Sequence, residues 1–143
     1  MKIALVRHAW WFEGMFGPGG EDQARRAAKL IDALGLEIGP EIYSSGRSRA
    51  TETAKEMNHL LQRRVVCAGW LEDGTSLKSF KFGLEYFVRD DAPECTVMVT
   101  HEPLILDILK GFSSMNGVIT VNYGEVILLD LVNRVTERLE EEA

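Results

Sequence analysis

Two runs in this chain have no polar face to offer to water. Ile3-Ala4-Leu5-Val6 and Val97-Met98-Val99 are too short for helices and too continuously aliphatic for a half-exposed sheet. They read as strands covered on both faces, so helices must lie on either side of them. The intervening sequence supplies those helices. Glu21 to Leu34 has helical periodicity, with Ala24, Ala27, Ala28, Leu30 and Ile31 on one stripe. Arg47 to Leu61 repeats the pattern through Ala50, Ala54, Met57 and Leu61. Leu77 to Val88 presents Phe80, Leu84 and Phe87, best explained as core, and Pro103 opens a further helix through Lys110. Glu41 to Ser44 and Val65 to Cys67 read as short strands, the latter edge-like. Trp10 to Gly20 reads as a glycine-rich loop, Gly35 as a helix C-cap and Gly39-Pro40 as a turn. Val118 to Val121 and Glu125 to Leu131 predict a final hairpin around Asn122-Tyr123-Gly124, followed from Asn133 by a charged, fraying tail. Alternating strands and helices imply a three-layer α/β/α sandwich, mainly parallel with an antiparallel edge.

At 143 residues the chain has the length of one domain, 1–143, with enough apolar residues for a real core. A net charge of −6 argues against nucleic acid or an anionic membrane as the main partner. Cys67 and Cys95 form no metal or disulfide pattern and read as small core residues. Arg7 interrupts any signal-like apolar segment, and no run approaches the roughly 20 residues that span a bilayer. A reducing cytoplasm is the expected location.

The chemistry-bearing residues fall at strand ends. Lys2 to Val6 delivers Arg7 and His8 to a carboxyl edge, where open α/β sheets bind ligands. Thr96 to Thr100 likewise delivers His101, and the second strand leads into Ser44-Ser45-Gly46-Arg47-Ser48-Arg49. An unpaired buried guanidinium is costly, so Arg7 beside His8 is better explained by an anion than by core packing. Arg49 sits in a helix's first turn, where a cation opposes the dipole and gains nothing structurally. A phosphoryl group satisfies all of them. Neutral His8 would be the nucleophile, Arg7 and Arg49 would bind the phosphoryl oxygens, and His101 would donate to the transferring group. Ser44 and Ser45 read as helix capping residues, Arg47 and His59 as surface. Glu72, in Trp70-Leu71-Glu72-Asp73-Gly74, is the candidate proton donor, with a solvated loop acid as the equal alternative and Glu102 in reserve. Gly17-Pro18-Gly19-Gly20 lacks the lysine of a P-loop, no GxSxG elbow occurs, and His101-Glu102 lacks the second histidine of a zinc motif.

With these residues placed, the chain resembles the histidine phosphatase superfamily, which includes phosphoglycerate mutases and acid phosphatases. The resemblance rests on Leu5-Val6-Arg7-His8, Tyr43-Ser44-Ser45 with Arg49-Ala50 and Thr53-Ala54, and Val99-Thr100-His101. It implies the family's three-layer fold and no cofactor or metal. His8 is implied as nucleophile, Arg7, Arg49 and His101 as the phosphate pocket, and the acid near Glu72. Short length and His101-x-Pro103 look most similar to the small phosphohistidine phosphatases, a branch that often lacks a clear acid. Ala9 replaces the usual glycine, and Trp10 and Trp11 stand where small or polar residues are common. A loop shorter than in the mutases disfavours mutase activity. Aromatic flanks suit a protein-borne or apolar substrate.

The expected function is therefore a metal-independent phosphatase working through phospho-His8, with protein phosphohistidine as a candidate substrate. A small-molecule phosphomonoesterase is the enzymatic alternative, and a pseudophosphatase that binds a phosphorylated partner is the non-enzymatic one. Trp10 and Trp11 either seal the loop or form a substrate platform.

Overall fold

The computed structural model describes residues 1–87, 94–112 and 120–141. Its centre is a six-stranded sheet. In chain order the strands and helices are β1 (Lys2–Arg7), β2 (Trp11–Phe12), β3 (Met15–Phe16), α1 (Gly20–Asp32), β4 (Ile38–Ser44), α2 (Ser48–Leu61), β5 (Arg64–Cys67), α3 (Leu77–Phe87), β6 (Cys95–Thr100), α4 (Glu102–Phe112), β7 (Val126–Asp130) and β8 (Val135–Arg138). A 3-10 turn at Gly69–Leu71 precedes α3. The sheet runs β5-β4-β6-β1-β7-β8, with β2 and β3 forming a separate ribbon. The four strands from β5 to β1 are parallel, and β7 and β8 add an antiparallel edge.

Period-two alternation along buried strands builds both outer layers. From β1, Ala4 and Val6 join the side covered by Ala24, Ala27, Ala50, Ala54 and Met57 of α1 and α2. Ile3 and Leu5 face Phe80, Leu84, Leu104, Ile105 and Ile108 of α3 and α4. Small residues on the first side let both helices approach the sheet closely. The second side is filled by large ones. The predicted sandwich and its antiparallel edge are thus present.

Several local expectations are corrected. The segment after His8 contains the β2–β3 hairpin, joined through Glu13 and Gly14, both with positive φ (48° and 82°). Two such residues make the tight turn whose twist matches paired strands. Gly39-Pro40 lies inside β4, where the pairing with β6 shifts register, instead of forming a turn. Val121 and Asn122 are not in a strand, and Val118 lies outside the described residues. The final hairpin is β7–β8, turned at 131–134, where Asp130 accepts the N–H groups of Val132 and Asn133. The expected fraying tail is therefore an edge strand, followed by buried Leu139. Cys95 is buried as expected, but Cys67 is exposed because it ends an edge strand. Phe80 and Leu84 are core; the Phe87 side chain lies outside the described set.

Phe80 is fully buried and packs against Trp70 and Phe112. Phe80→Ala is expected to lower stability by about 3–5 kcal/mol, measured by urea unfolding at neutral pH.

Candidate active site

Strand register sets the site. In the β1–β6 pair Arg7 stands opposite Thr100, and in the β4–β6 pair Ser44 stands opposite Val99. The carboxyl ends of three adjacent strands are therefore nearly flush. His8 N–H donates to Thr100 O at 3.0 Å, and Ser45 N–H donates to Val99 O at 3.0 Å. Residues one step beyond each strand, His8, His101 and Ser45, meet above the sheet edge. The two imidazoles lie 5.3 Å apart between ring centroids.

His8 is buried, and its Nδ1 lies 2.9 Å from Ala9 O. A carbonyl only accepts, so Nδ1 carries the hydrogen and Nε2 keeps its lone pair. Burial, the largest influence, pushes the His8 pKa down to about 4; His101, Arg49 and Arg7 push in the same direction, and the Ala9 bond opposes them. At neutral pH the ring is an uncharged base with one free nitrogen. Thr53 secures this geometry from α2, because its hydroxyl accepts Ala9 N–H at 2.9 Å and donates to Arg49 O at 2.6 Å.

The guanidiniums come from different elements. Arg7 Nη1 donates to Val121 O at 2.6 Å and lies 3.7 Å from Glu102 Oε2. Glu102 also accepts Val121 N–H at 2.7 Å, so the paired Arg7 and Glu102 side chains together hold both backbone polar groups of Val121. The Arg7 guanidinium carbon sits 4.0 Å over the Tyr123 ring, and Arg7 Nε is buried without a hydrogen-bond partner among the described residues. Arg49, at the start of α2, lies 3.8 Å from Asp73 Oδ2, too far for a hydrogen bond, and its charge acts on both histidines. Arg47 is largely exposed, as expected.

His101 is buried, and burial is the main cause of its lowered pKa, with Arg49 next. Its Nε2 lies 2.9 Å from Ser45 Oγ, which in turn lies 3.0 Å from Glu72 Oε2. Glu72 Oε1 accepts Gly46 N–H at 2.6 Å. Ser45 is therefore not a helix cap. The residue at the α2 N-cap position is Arg47, with no side-chain cap, and the Ser44 hydroxyl donates to Ser45 O. His59 is on the surface beside Glu56.

The structure thus brings His8, His101, Arg7, Arg49 and Glu72 to one sheet end. It adds Ser45, Thr53 and Tyr123, whose ring lies 5.6 Å from His8. Tyr123 had no local signal, since its loop was expected to be a hairpin turn. Ser45 was masked by the preference of serine for helix starts. Trp11 packs edge-on against Phe16 within the hairpin, while Trp10 stays 38% exposed with its ring against Gly17. Among the described residues no cluster of three or more His, Cys, Asp or Glu could hold a metal, and no helix is long and apolar enough to cross a membrane.

No protein-family model and no curated protein matches the sequence. Solved structures do match its shape. The protein histidine phosphatase SixA complexed with tungstate superposes with a TM-score of 0.76 at 15% identity, covering 96% of this chain and 94% of that one. SixA from Agrobacterium tumefaciens gives 0.73 at 17% identity, covering 99% and 97%. Phosphoglycerate mutase from Plasmodium falciparum gives 0.63 at 21% identity, covering 98% and 89%. The chain shares the fold of these SixA and phosphoglycerate mutase structures. In this fold the Arg7-His8 and His101 strand ends are the two central ones, as the register above requires.

Because the folded chain favours neutral His8, its contribution to stability is complete above pH 6.5, the ordinary histidine pKa. It is lost as pH falls from there through about 4, and the loss is on the order of 3 kcal/mol. Urea unfolding at pH 7 and pH 4 is expected to show this decrease, and His8→Gln is expected to reduce the difference.

Proposed function

We propose that this protein is a phosphatase that works through a covalent phosphohistidine at His8 without a metal ion. The carrying observation is the Nδ1-to-Ala9 hydrogen bond on a buried, neutral ring, which leaves the Nε2 lone pair free on a ring that lies beside His101 and feels the charges of Arg7 and Arg49. Likeness to SixA and to phosphoglycerate mutase in fold supports the reading, as does the tungstate held by the former, an oxyanion with the shape of phosphate.

In the first step His8 Nε2 attacks phosphorus. A phosphorus–nitrogen bond forms to His8 while the bond to the leaving group breaks, and the leaving group takes its proton from solvent. Arg7 and Arg49 neutralise the equatorial oxygens, and His101 donates to the transferring group. Water then attacks phosphorus, the bond to Nε2 breaks, and the protons of water leave with orthophosphate or solvent. Removal of a positive pocket residue weakens both steps, because both pass through the same charged phosphoryl group.

The substrate we infer is phosphohistidine on a protein. A phosphoramidate releases imidazole, which needs one proton and little help from an enzyme acid, whereas an alkoxide needs that help. Exposed Tyr123, whose ring lies 5.6 Å from His8, suits a flat leaving group carried on a larger surface. The phosphorylated substrate is the expected partner, acidic net charge disfavours nucleic acid, and cytoplasm is the expected location. A small-molecule phosphomonoester is the second substrate class.

Phosphate release from a phosphohistidine peptide and from p-nitrophenyl phosphate tests the reading. Turnover of the peptide, lost in His8→Ala by at least about 1,000-fold, is expected, together with an acid-labile phosphoprotein trapped by quenching. Full activity in His8→Ala would exclude the covalent route. Preference for the ester would move the substrate to small molecules.

A further inference from the structure

The contacts around His101 form a connected chain whose directions can be worked out. Ser45 is fully buried; its Oγ lies 2.9 Å from His101 Nε2, 3.0 Å from Glu72 Oε2 and 3.3 Å from Arg47 N. A hydroxyl has one hydrogen and two lone pairs. The Arg47 N–H can only donate and a carboxylate can only accept, so the Ser45 hydrogen goes to Glu72. One lone pair is left, and His101 fills it by donating from Nε2. Glu72 is fixed in its turn. Its Oε1 takes Gly46 N–H at 2.6 Å, short as charge-assisted bonds are, and the Arg47 guanidinium lies 3.7 Å from Oε2. Both oxygens are occupied by donors of the segment joining β4 to α2.

We propose that Glu72 is a positioning residue that acts through the Ser45 hydroxyl to hold His101 as its Nε2–H tautomer, and that it does not pass a proton to the leaving group. The consequence for turnover rests on the phosphatase reading; the hydrogen-bond chain does not. His101 Nδ1 is buried and has no hydrogen-bond partner among the described residues. With Nε2–H committed to Ser45, the ring gives a second hydrogen bond only as imidazolium, from Nδ1. Burial most of all, then Arg49 and Arg47, opposes that second proton, Asp73 and Glu72 favour it, and His8 meets the ring edge to face. A phosphoryl dianion adds to the favouring side. Ser45 and Glu72 serve the Nε2–H in both states, so protonation changes one ring atom without turning the ring.

The assignment deepens the substrate argument. With Glu72 engaged in orienting His101, an ester with a poor leaving group receives no proton from it, whereas the imidazole released from phosphohistidine can take its one proton from solvent.

Nitrogen-resolved NMR of the intact chain at pH 7 tests the chain directly. Wild-type His101 is expected as the Nε2–H tautomer, and Ser45→Ala and Glu72→Gln are expected to give tautomer mixtures. A wild-type ring with its single proton on Nδ1 overturns the proposal, whether or not either variant folds. In turnover, positioning predicts losses of roughly 10-fold in each variant, equal for p-nitrophenyl and phenyl phosphate. The double variant should be no worse than the poorer single one. A Glu72→Gln loss of about 100-fold or more on phenyl phosphate, absent with p-nitrophenyl phosphate and from Ser45→Ala, identifies a proton donor and overturns it. A wild type inactive on every phosphorylated substrate sinks the phosphatase reading while the tautomer still decides the relay.

Discussion

The parallel register between β1 and β6 is the constraint on which the rest of this site depends. Pairing Arg7 with Thr100 puts two strand ends level, and the His8 N–H to Thr100 O bond carries the alignment one residue past the strands. A one-residue slip would invert every side chain on β1, sending Ile3 and Leu5 to the alanine-lined face, where no space exists for them. The same apolar alternation that builds two dissimilar cores therefore fixes where the imidazoles stand. Core packing and chemistry are one specification here, read from the two ends of the same strand.

Around that fixed pair, each remaining group is held by a different element. Thr53 reaches from α2 to the Ala9 N–H, Glu102 reaches from α4 to Val121, and Glu72 reaches through Ser45 to His101. The first two are bonds from a backbone N–H to a side chain and the third runs side chain to side chain, all across long sequence separations. Arg7 gains most from the arrangement. Its guanidinium lies on Tyr123 and is pinned to Val121 O, which reduces the freedom a long side chain would otherwise lose on binding an anion.

Much of this was legible in the sequence, for identifiable reasons. Strands buried on both faces announce themselves as unbroken aliphatic runs, and α1 and α2 as alanine stripes, so the layers and the strand ends bearing Arg7, His8 and His101 could be placed. Elements governed by single-residue conformations were not legible. Glu13-Gly14 is not among the pairs that usually mark a tight hairpin, and the β7–β8 turn depends on Asp130 accepting two N–H groups. The role of Ser45 is not legible because its local preference, a helix start, competes with a tertiary role set by what stands opposite. Glu72 could be brought to the right sheet end, but which groups its oxygens touch is a property of three segments meeting in space.

The two outermost strands have a consequence for recognition. β5 and β8 are only four residues each, and they carry Arg64 at one edge and Glu137 and Arg138 at the other. Short, charged edges disfavour the addition of a strand from another polypeptide. If the substrate is the phosphorylated protein proposed above, it would thus be turned away from backbone pairing along the sheet. It would be received end-on, by side chains and loops at the strands' carboxyl termini, so that little of its sequence would be read beyond the phosphorylated residue and its immediate flanks.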